Sequence, residues 1–253
     1  MATKINKISQ LVSKNAIMFA SWMAEQGISG SELAGFVRSK WLERLATGVY
    51  YFTGDTPILF SAISSYNSQL KKKCVIGAST ALDLKGFSHY GIMGKPVAYL
   101  FTTKMERLPK WFIGYKWDME VRYFTTSIFN NKDIGIEKIK DGDNELLVSF
   151  PERAFMECLW LSTSYFSLMD LYFIMEMLTT LRPKIVQQLL EECTSVKVKR
   201  LFLYMAEKSG HSWFKSLNTS KIKLGKGTRL IAKAGITNLK YQITIPKELN
   251  NYE

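Results

Sequence analysis

The sequence predicts an α+β protein, with a winged helix-turn-helix domain over residues 1–55 and a larger mixed α+β domain over residues 56–253. Three observations carry this expectation. The stretch Ile28 to Phe52, ISGSELAGFVRSKWLERLATGVYYF, reads as a short helix, a tight turn and a small hairpin. Strand-like segments then gather between Val97 and Phe150, and helical ones between Pro151 and Lys208. At 253 residues the chain exceeds the usual size of one domain.

Lys4 to Ser13 keeps Ile5, Ile8, Leu11 and Val12 at helical spacing, and Ala16 to Gln26 reads as a second helix closed by Gly27. The third starts at Ser29, an N-cap with Glu32 three residues on, as in a capping box. Its apolar stripe is Leu33, Phe36 and Val37; Ser31, Glu32, Gly35, Arg38 and Ser39 lie opposite. Trp41 to Leu45 begins an alternating run, Thr47-Gly48 reverses the chain, and Val49 to Phe52 returns. The expected core is Ile8, Leu11, Ile17, Leu33, Phe36, Val37, Leu42, Leu45 and Val49. Such a module lays its third helix in a DNA major groove.

Gly54-Asp55-Thr56-Pro57 marks the domain boundary, and a helix follows to about Gln69. Gly77 to Gly86 is a short helix closed by glycine. Val97–Thr102, Glu120–Thr125 and Glu145–Phe150 are strands, with Asp141-Gly-Asp143 in a loop. Helices run from Glu152 to Thr163, Leu168 to Leu181, Pro183 to Glu192 and Ser195 to Lys208, with Gly210 as the stop. Alternation at Lys221–Leu224, at Arg229–Ala232 and from Tyr241 to Ile245 predicts β structure at the end, with a turn at Gly225-Lys-Gly-Thr228.

The formal charge is +12, and residues 195–253 hold twelve basic against three acidic side chains. Such a field favours polyanions. Cys74, Cys158 and Cys193 form no C-x-x-C or Cys/His cluster, so neither a zinc site nor a disulfide framework is expected and a reducing cytoplasm fits. The N-terminus lacks the apolar core of a signal peptide. The greasiest stretch, Ala154 to Leu181, contains Glu157, Asp170 and Glu176, each costing roughly 2.5–3.5 kcal/mol at bilayer mid-depth. Buried helices explain that stretch better than a membrane span.

Arg38, Lys40, Arg44 and Thr47 are the candidate contacts to phosphates or base edges, since arginine pairing with guanine is the commonest specific contact. A second candidate surface, for nucleic acid or a partner, is the basic set Lys197, Lys199, Arg200, Lys221, Lys223, Lys226 and Arg229. His89, between Ser88 and Tyr90, and His211 stand outside any metal-binding spacing and read as structural. Gly225-Lys-Gly-Thr228 lacks the earlier glycine of a nucleotide-wrapping loop. Gly77-Ala-Ser79 with Asp83 lacks a D-x-D or D-x-E partner. No catalytic residue, metal or cofactor is expected.

Three blocks of sequence resemble the AbiEi antitoxins of abortive-infection E, or type IV toxin–antitoxin, systems. They are Gly27-Ile-Ser to Leu42-Glu-Arg-Leu with Gly48-Val-Tyr-Tyr; Ile76-Gly-Ala-Ser-Thr-Ala-Leu with Pro151-Glu-Arg-Ala154; and Lys199-Arg-Leu-Phe-Leu-Tyr-Met-Ala-Glu-Lys with His211-x-Trp213 and Leu224-Gly-x-Gly227. The resemblance implies a repressor whose winged helix binds double-stranded DNA at inverted repeats in its own promoter. It also implies a second domain that antagonises a co-encoded nucleotidyltransferase toxin without a required stable complex. It places DNA contacts at Ser29, Ser31, Arg38, Lys40, Arg44 and Thr47. Two other readings stay open: an enzyme acting on nucleic acid or nucleotides through Asp83, Asp141 and Asp143, and an RNA- or protein-binding adaptor using the basic C-terminal face.

Overall fold

The structure is a computed structural model that describes residues 2–87, 94–162 and 164–252. It divides into two compact units. The first holds Met1–Val75, Met93–Phe124 and Lys138–Leu147; the second holds Ile76–Ile92, Thr125–Glu137 and Val148–Glu253. The unit containing the winged helix thus takes in more chain than residues 1–55.

The first six elements are α1 (Ala2–Ser9), β1 (Met18–Phe19), α2 (Ala20–Glu25), α3 (Gly30–Arg38), β2 (Leu42–Ala46) and β3 (Val49–Phe52). The strands form an antiparallel sheet in the order β1-β3-β2. This helix-strand-helix-helix-strand-strand order is that of a winged helix. Ile5, Ile8, Met18, Met23, Ile28, Leu33, Phe36 and Leu42 fill the core, with Val12, Ala20, Trp22, Val37, Tyr50 and Phe52 partly buried against it. Burying each large side chain is worth about 1.5–3 kcal/mol, so these contacts set how α3 is held.

Two local expectations change. Residues 16–26 are not one helix: Met18 pairs with Tyr50 and Phe19 with Val49, and α2 starts only at Ala20. Ala16, Ile17, Met18 and Phe19 are all buried, as in a strand covered on both faces. Leu11 is 51% exposed because α1 stops at Ser9, and Val37 and Leu45 are half-buried rather than core.

Next come α4 (Leu59–Gln69), β4 (Val75–Ile76), α5 (Ala78–Leu84), β5 (Val97–Thr102), α6 (Lys110–Gly114), β6 (Glu120–Thr125), β7 (Ile136–Asp141) and β8 (Asn144–Ser149). The Gln69 carboxamide accepts from Phe19 N (2.9 Å) and donates to Ile17 O (3.1 Å), closing the outer edge of β1. A five-stranded sheet has the order β6-β5-β4-β8-β7. β7 is a strand that the sequence does not announce: Ile136-Glu-Lys-Ile-Lys-Asp141 is charged on its exposed side, as edge strands are. Asp141-Gly-Asp143 is the turn between β7 and β8, with Gly142 at φ +56°.

The helices α7 (Pro151–Leu161), α8 (Leu168–Met177), α9 (Pro183–Glu192) and α10 (Val196–Lys208) belong to the second unit. α7 is its centre, packed by α5, α8, α9 and α10. Thr163, the expected end of α7, and His89 lie outside the described residues. β9 (Arg229–Leu230), β10 (Ile236–Asn238) and β11 (Ile243–Ile245) make a small sheet in the order β10-β11-β9, and α11 (Lys247–Asn251) follows. Lys221–Leu224 is not a strand; a 3-10 turn, Thr219–Lys221, leads into irregular chain. No described helix is long and apolar enough to cross a membrane.

Candidate nucleic-acid interface

α3 begins on a complete capping box. Glu32 N donates to Ser29 Oγ (3.3 Å), and Ser29 N donates to the Glu32 carboxylate (2.8 Å). Lys4 donates to the same carboxylate (2.8 Å), and these bonds lower its pKa to about 2, the Lys4 bond contributing most. With Leu33 and Phe36 in the core, Gly30, Ser31, Ala34 and Arg38 are left exposed on one face. Small side chains there leave room for a close approach, and Arg38 ends the row.

The helix stops in a Schellman arrangement. Lys40 N donates to Val37 O (3.1 Å) and Trp41 N to Phe36 O (2.9 Å), with Lys40 at φ +57° where glycine is usual. That conformation costs a non-glycine residue about 1 kcal/mol or more. Lys40 is exposed, and so is Trp41 beside it at 54%. Trp41 adds an exposed aromatic surface beside the expected contacts, and alternation with buried Leu42 already points it outward.

On the wing, Arg44 and Thr47 are exposed. The ladder pairs Arg44 with Tyr50 and then Ala46 with Val49, so a bulge falls between them, next to the tip. Arg44 Nε donates to Ala46 O at 3.3 Å, which steers the guanidinium toward that tip. Glu43, the acidic residue on β2, accepts from Tyr51 Oη at 2.7 Å. Arg38, Lys40, Arg44 and Thr47 all belong to α3, its closing turn and the adjoining wing. Ser31 is exposed as well. The hydroxyl of Ser29 is committed to the cap, with Ser31 Oγ 3.0 Å away.

The basic C-terminal set does not form one surface. Arg200 is 1% exposed and Lys199 5%. Lys197 is half-buried, donating to Trp160 O (3.0 Å) and Ser162 Oγ (3.4 Å), and burial lowers its pKa. α10 turns these three toward the unit's interior, where backbone carbonyls satisfy Lys197 and Arg200. Lys221, Lys223, Lys226 and Arg229 remain exposed.

The family model for the AbiEi antitoxin N-terminal domain, a transcriptional regulator, matches residues 1–92. A second, for the AbiEi antitoxin and transcriptional regulator of type IV toxin–antitoxin systems, matches residues 95–246. The chain belongs to the AbiEi antitoxin family. Among solved structures, the RV2827C protein from Mycobacterium tuberculosis is similar in fold, with a TM-score of 0.62 at 14% identity over 91% of this chain and 86% of that one. No curated protein matches.

Among the AbiEi-like blocks outside the winged helix, the central one is tied into a buried polar network. In Pro151-Glu-Arg-Ala154, Glu152 is 2% exposed and takes two bonds from the Arg182 guanidinium (both 2.8 Å) and one from its backbone N (3.0 Å). Burial alone would raise the Glu152 pKa; those Arg182 bonds outweigh it and hold the carboxyl below its usual value. Arg153 donates to Glu157 (2.8 Å) and to the carbonyls of Lys132 (2.8 Å) and Ile134 (2.7 Å). Gly135, at φ +69°, lets that loop close on Arg153, where a Cβ would meet Arg153 Cβ at 3.0 Å.

Glu157, fully buried, also accepts from Ser149 Oγ (3.1 and 3.0 Å) and from Ala78 N (3.0 Å) at the start of α5. The start of α5, at Gly77-Ala-Ser79, is therefore occupied by the protein's own carboxylate. His211 is buried and stacks on Trp213, its Nε2 2.6 Å from Met175 O. Asp83, Asp141 and Asp143 are exposed, and among the described residues no three His, Cys, Asp or Glu side chains gather as a metal site.

Proposed function

We propose that this antitoxin is a cytoplasmic DNA-binding repressor of its own operon. Residues 1–55 read inverted repeats in its own promoter, with Ser31, Arg38, Lys40, Arg44 and Thr47 as contacts and the backbone at Ser29 close to the phosphates. The rest of the chain, residues 56–253, antagonises a co-encoded nucleotidyltransferase toxin without requiring a stable complex. The observation that best supports the DNA role is α3 itself: its apolar side is held in the core while its small-residue side, Arg38, Lys40 and the wing's Arg44 face solvent.

The test is a mobility shift on the DNA upstream of its own gene. Binding should be specific and should weaken steeply with salt, by about 0.9 log units per tenfold rise in salt for each phosphate contacted. Binding that ignores salt, or does not distinguish that DNA from random sequence, would refute the reading.

Lys40 gives a sharper check. Replacing it with glycine relieves the φ +57° conformation, so Lys40→Gly should gain about 1 kcal/mol in stability. The same change should weaken DNA binding and make the salt slope shallower by about 0.9. Thermal unfolding and salt-dependent binding read the two effects separately. A variant that gains stability and binds DNA as before would remove Lys40 from the interface.

A further inference from the structure

Arg200 is a buried cation satisfied by carbonyl oxygens. Its Nε donates to Leu224 O (2.9 Å), Nη1 to Gly227 O (2.6 Å) and Gln242 O (2.8 Å), and Nη2 to Gly225 O (3.2 Å) and Gln242 Oε1 (3.3 Å). No carboxylate is among these partners. The bonds gather one turn of chain around a single guanidinium.

The geometry of that turn has a chemical result. A trans peptide sets the C=O of one residue antiparallel to the N–H of the next, and no described peptide is cis. Because the carbonyls of Leu224, Gly225 and Gly227 face Arg200, the N–H groups of Gly225, Lys226 and Thr228 point away from it. Lys226 and Thr228 are exposed and Gly225 lies between them and the half-buried Leu224; none of the three N–H groups donates a hydrogen bond among the described residues. Gly225 and Gly227 have φ of +67° and +73°, and a Cβ at Gly225 would meet Val196 Cγ2 at 3.1 Å. Lys223, Lys226 and Arg229 stand exposed around the turn, and none of them forms an ion pair among the described residues.

We propose that residues 223–229 form a phosphate-binding cradle, in which the outward N–H groups of Gly225, Lys226 and Thr228 donate to phosphate oxygens and Lys223, Lys226 and Arg229 supply the countercharge. Arg200 is its positioning residue: it touches no ligand and fixes which way the peptides face. Consecutive outward N–H groups, here those of Gly225 and Lys226 with Thr228 two residues on, are the makings of an anion site, and the flanking cations add countercharge. The turn lacks the earlier glycine that would wrap a triphosphate, so it suits one phosphate group. That group is carried either by a free phosphorylated molecule or by a nucleic-acid backbone. Only the second source rests on the proposed DNA role.

Amide-resolved NMR of the full chain tests this, with sodium phosphate titrated against chloride at matched ionic strength and, separately, with a short duplex of random sequence. The amides of Gly225, Lys226 and Thr228 should shift with phosphate or duplex and not with chloride. Response to phosphate alone identifies a free phosphorylated ligand. Response to duplex at a concentration lower by about ten-fold or more identifies the backbone.

The surface variant Lys223→Gln/Lys226→Gln/Arg229→Gln should weaken the effective anion by at least about ten-fold with the unfolding midpoint kept. Arg200→Lys keeps a cation but loses the forked bonds, and should abolish the amide response while the exposed cations remain. Should that variant fail to fold, the wild-type titration still decides. Amides unmoved by both anions, or a triple variant that binds both as tightly as wild type, overturns the cradle. If the upstream DNA is not bound specifically but phosphate still moves these amides, the repressor reading falls and the cradle stands. If that DNA is bound specifically and neither anion moves the amides, the cradle falls and the repressor reading stands.

Discussion

Arg38→Ala combined with Arg44→Ala should all but eliminate recognition of the upstream DNA while leaving the fold intact. Each guanidinium reading a guanine edge is worth about 1–3 kcal/mol, so losing two costs about thirty-fold in affinity or more. Both side chains are exposed, and among the described residues the only bond lost is the long one from Arg44 to Ala46 O. Stability should therefore change by no more than about 0.5 kcal/mol. Equilibrium binding and thermal unfolding on the same sample separate the two effects. A variant that shifts the DNA at wild-type concentrations places the contacts elsewhere on the molecule.

The second large effect is on folding. Glu157→Leu should destabilise the second unit by about 3–5 kcal/mol, because it leaves Arg153 buried without its counter-charge. It also strands Ala78 N and Ser149 Oγ, which share the same carboxylate. Against a typical total of about 5–15 kcal/mol, that loss is about a fifth or more. Glu157→Gln, which keeps acceptors but no charge, should fall between. Denaturant unfolding measures both. If Glu157→Leu lies within about 1 kcal/mol of wild type, the buried network is not what secures α7.

These two sites differ in how far the sequence could reveal them. The α3 cap is local: Ser29 and Glu32 lie three residues apart, and spacing alone identifies them. Leu33 and Phe36 are equally legible, since one turn of helix decides which way they face. β1 is hidden because Ile17, Met18 and Phe19 are buried on both sides, which erases the alternation that marks a strand. β7 is hidden for the opposite reason, its charged outer side imitating a loop. In the second unit the deciding partners are remote. Glu157 meets Ala78 across 79 positions, and Arg200 meets Gln242 across 42. Counting positive charge along the chain puts Arg200 on the surface, because nothing in sequence spacing announces the carbonyls that satisfy it.

The Gln69 carboxamide has a bearing on what counts as the autonomous folding piece. It stands where a neighbouring strand would, supplying one acceptor to Phe19 N and one donor to Ile17 O. Cut after Asp55, the polypeptide would bare that short ladder of main-chain groups, an invitation to pair edge to edge with another molecule. The smallest excised module that keeps its rim sealed runs through the whole of α4.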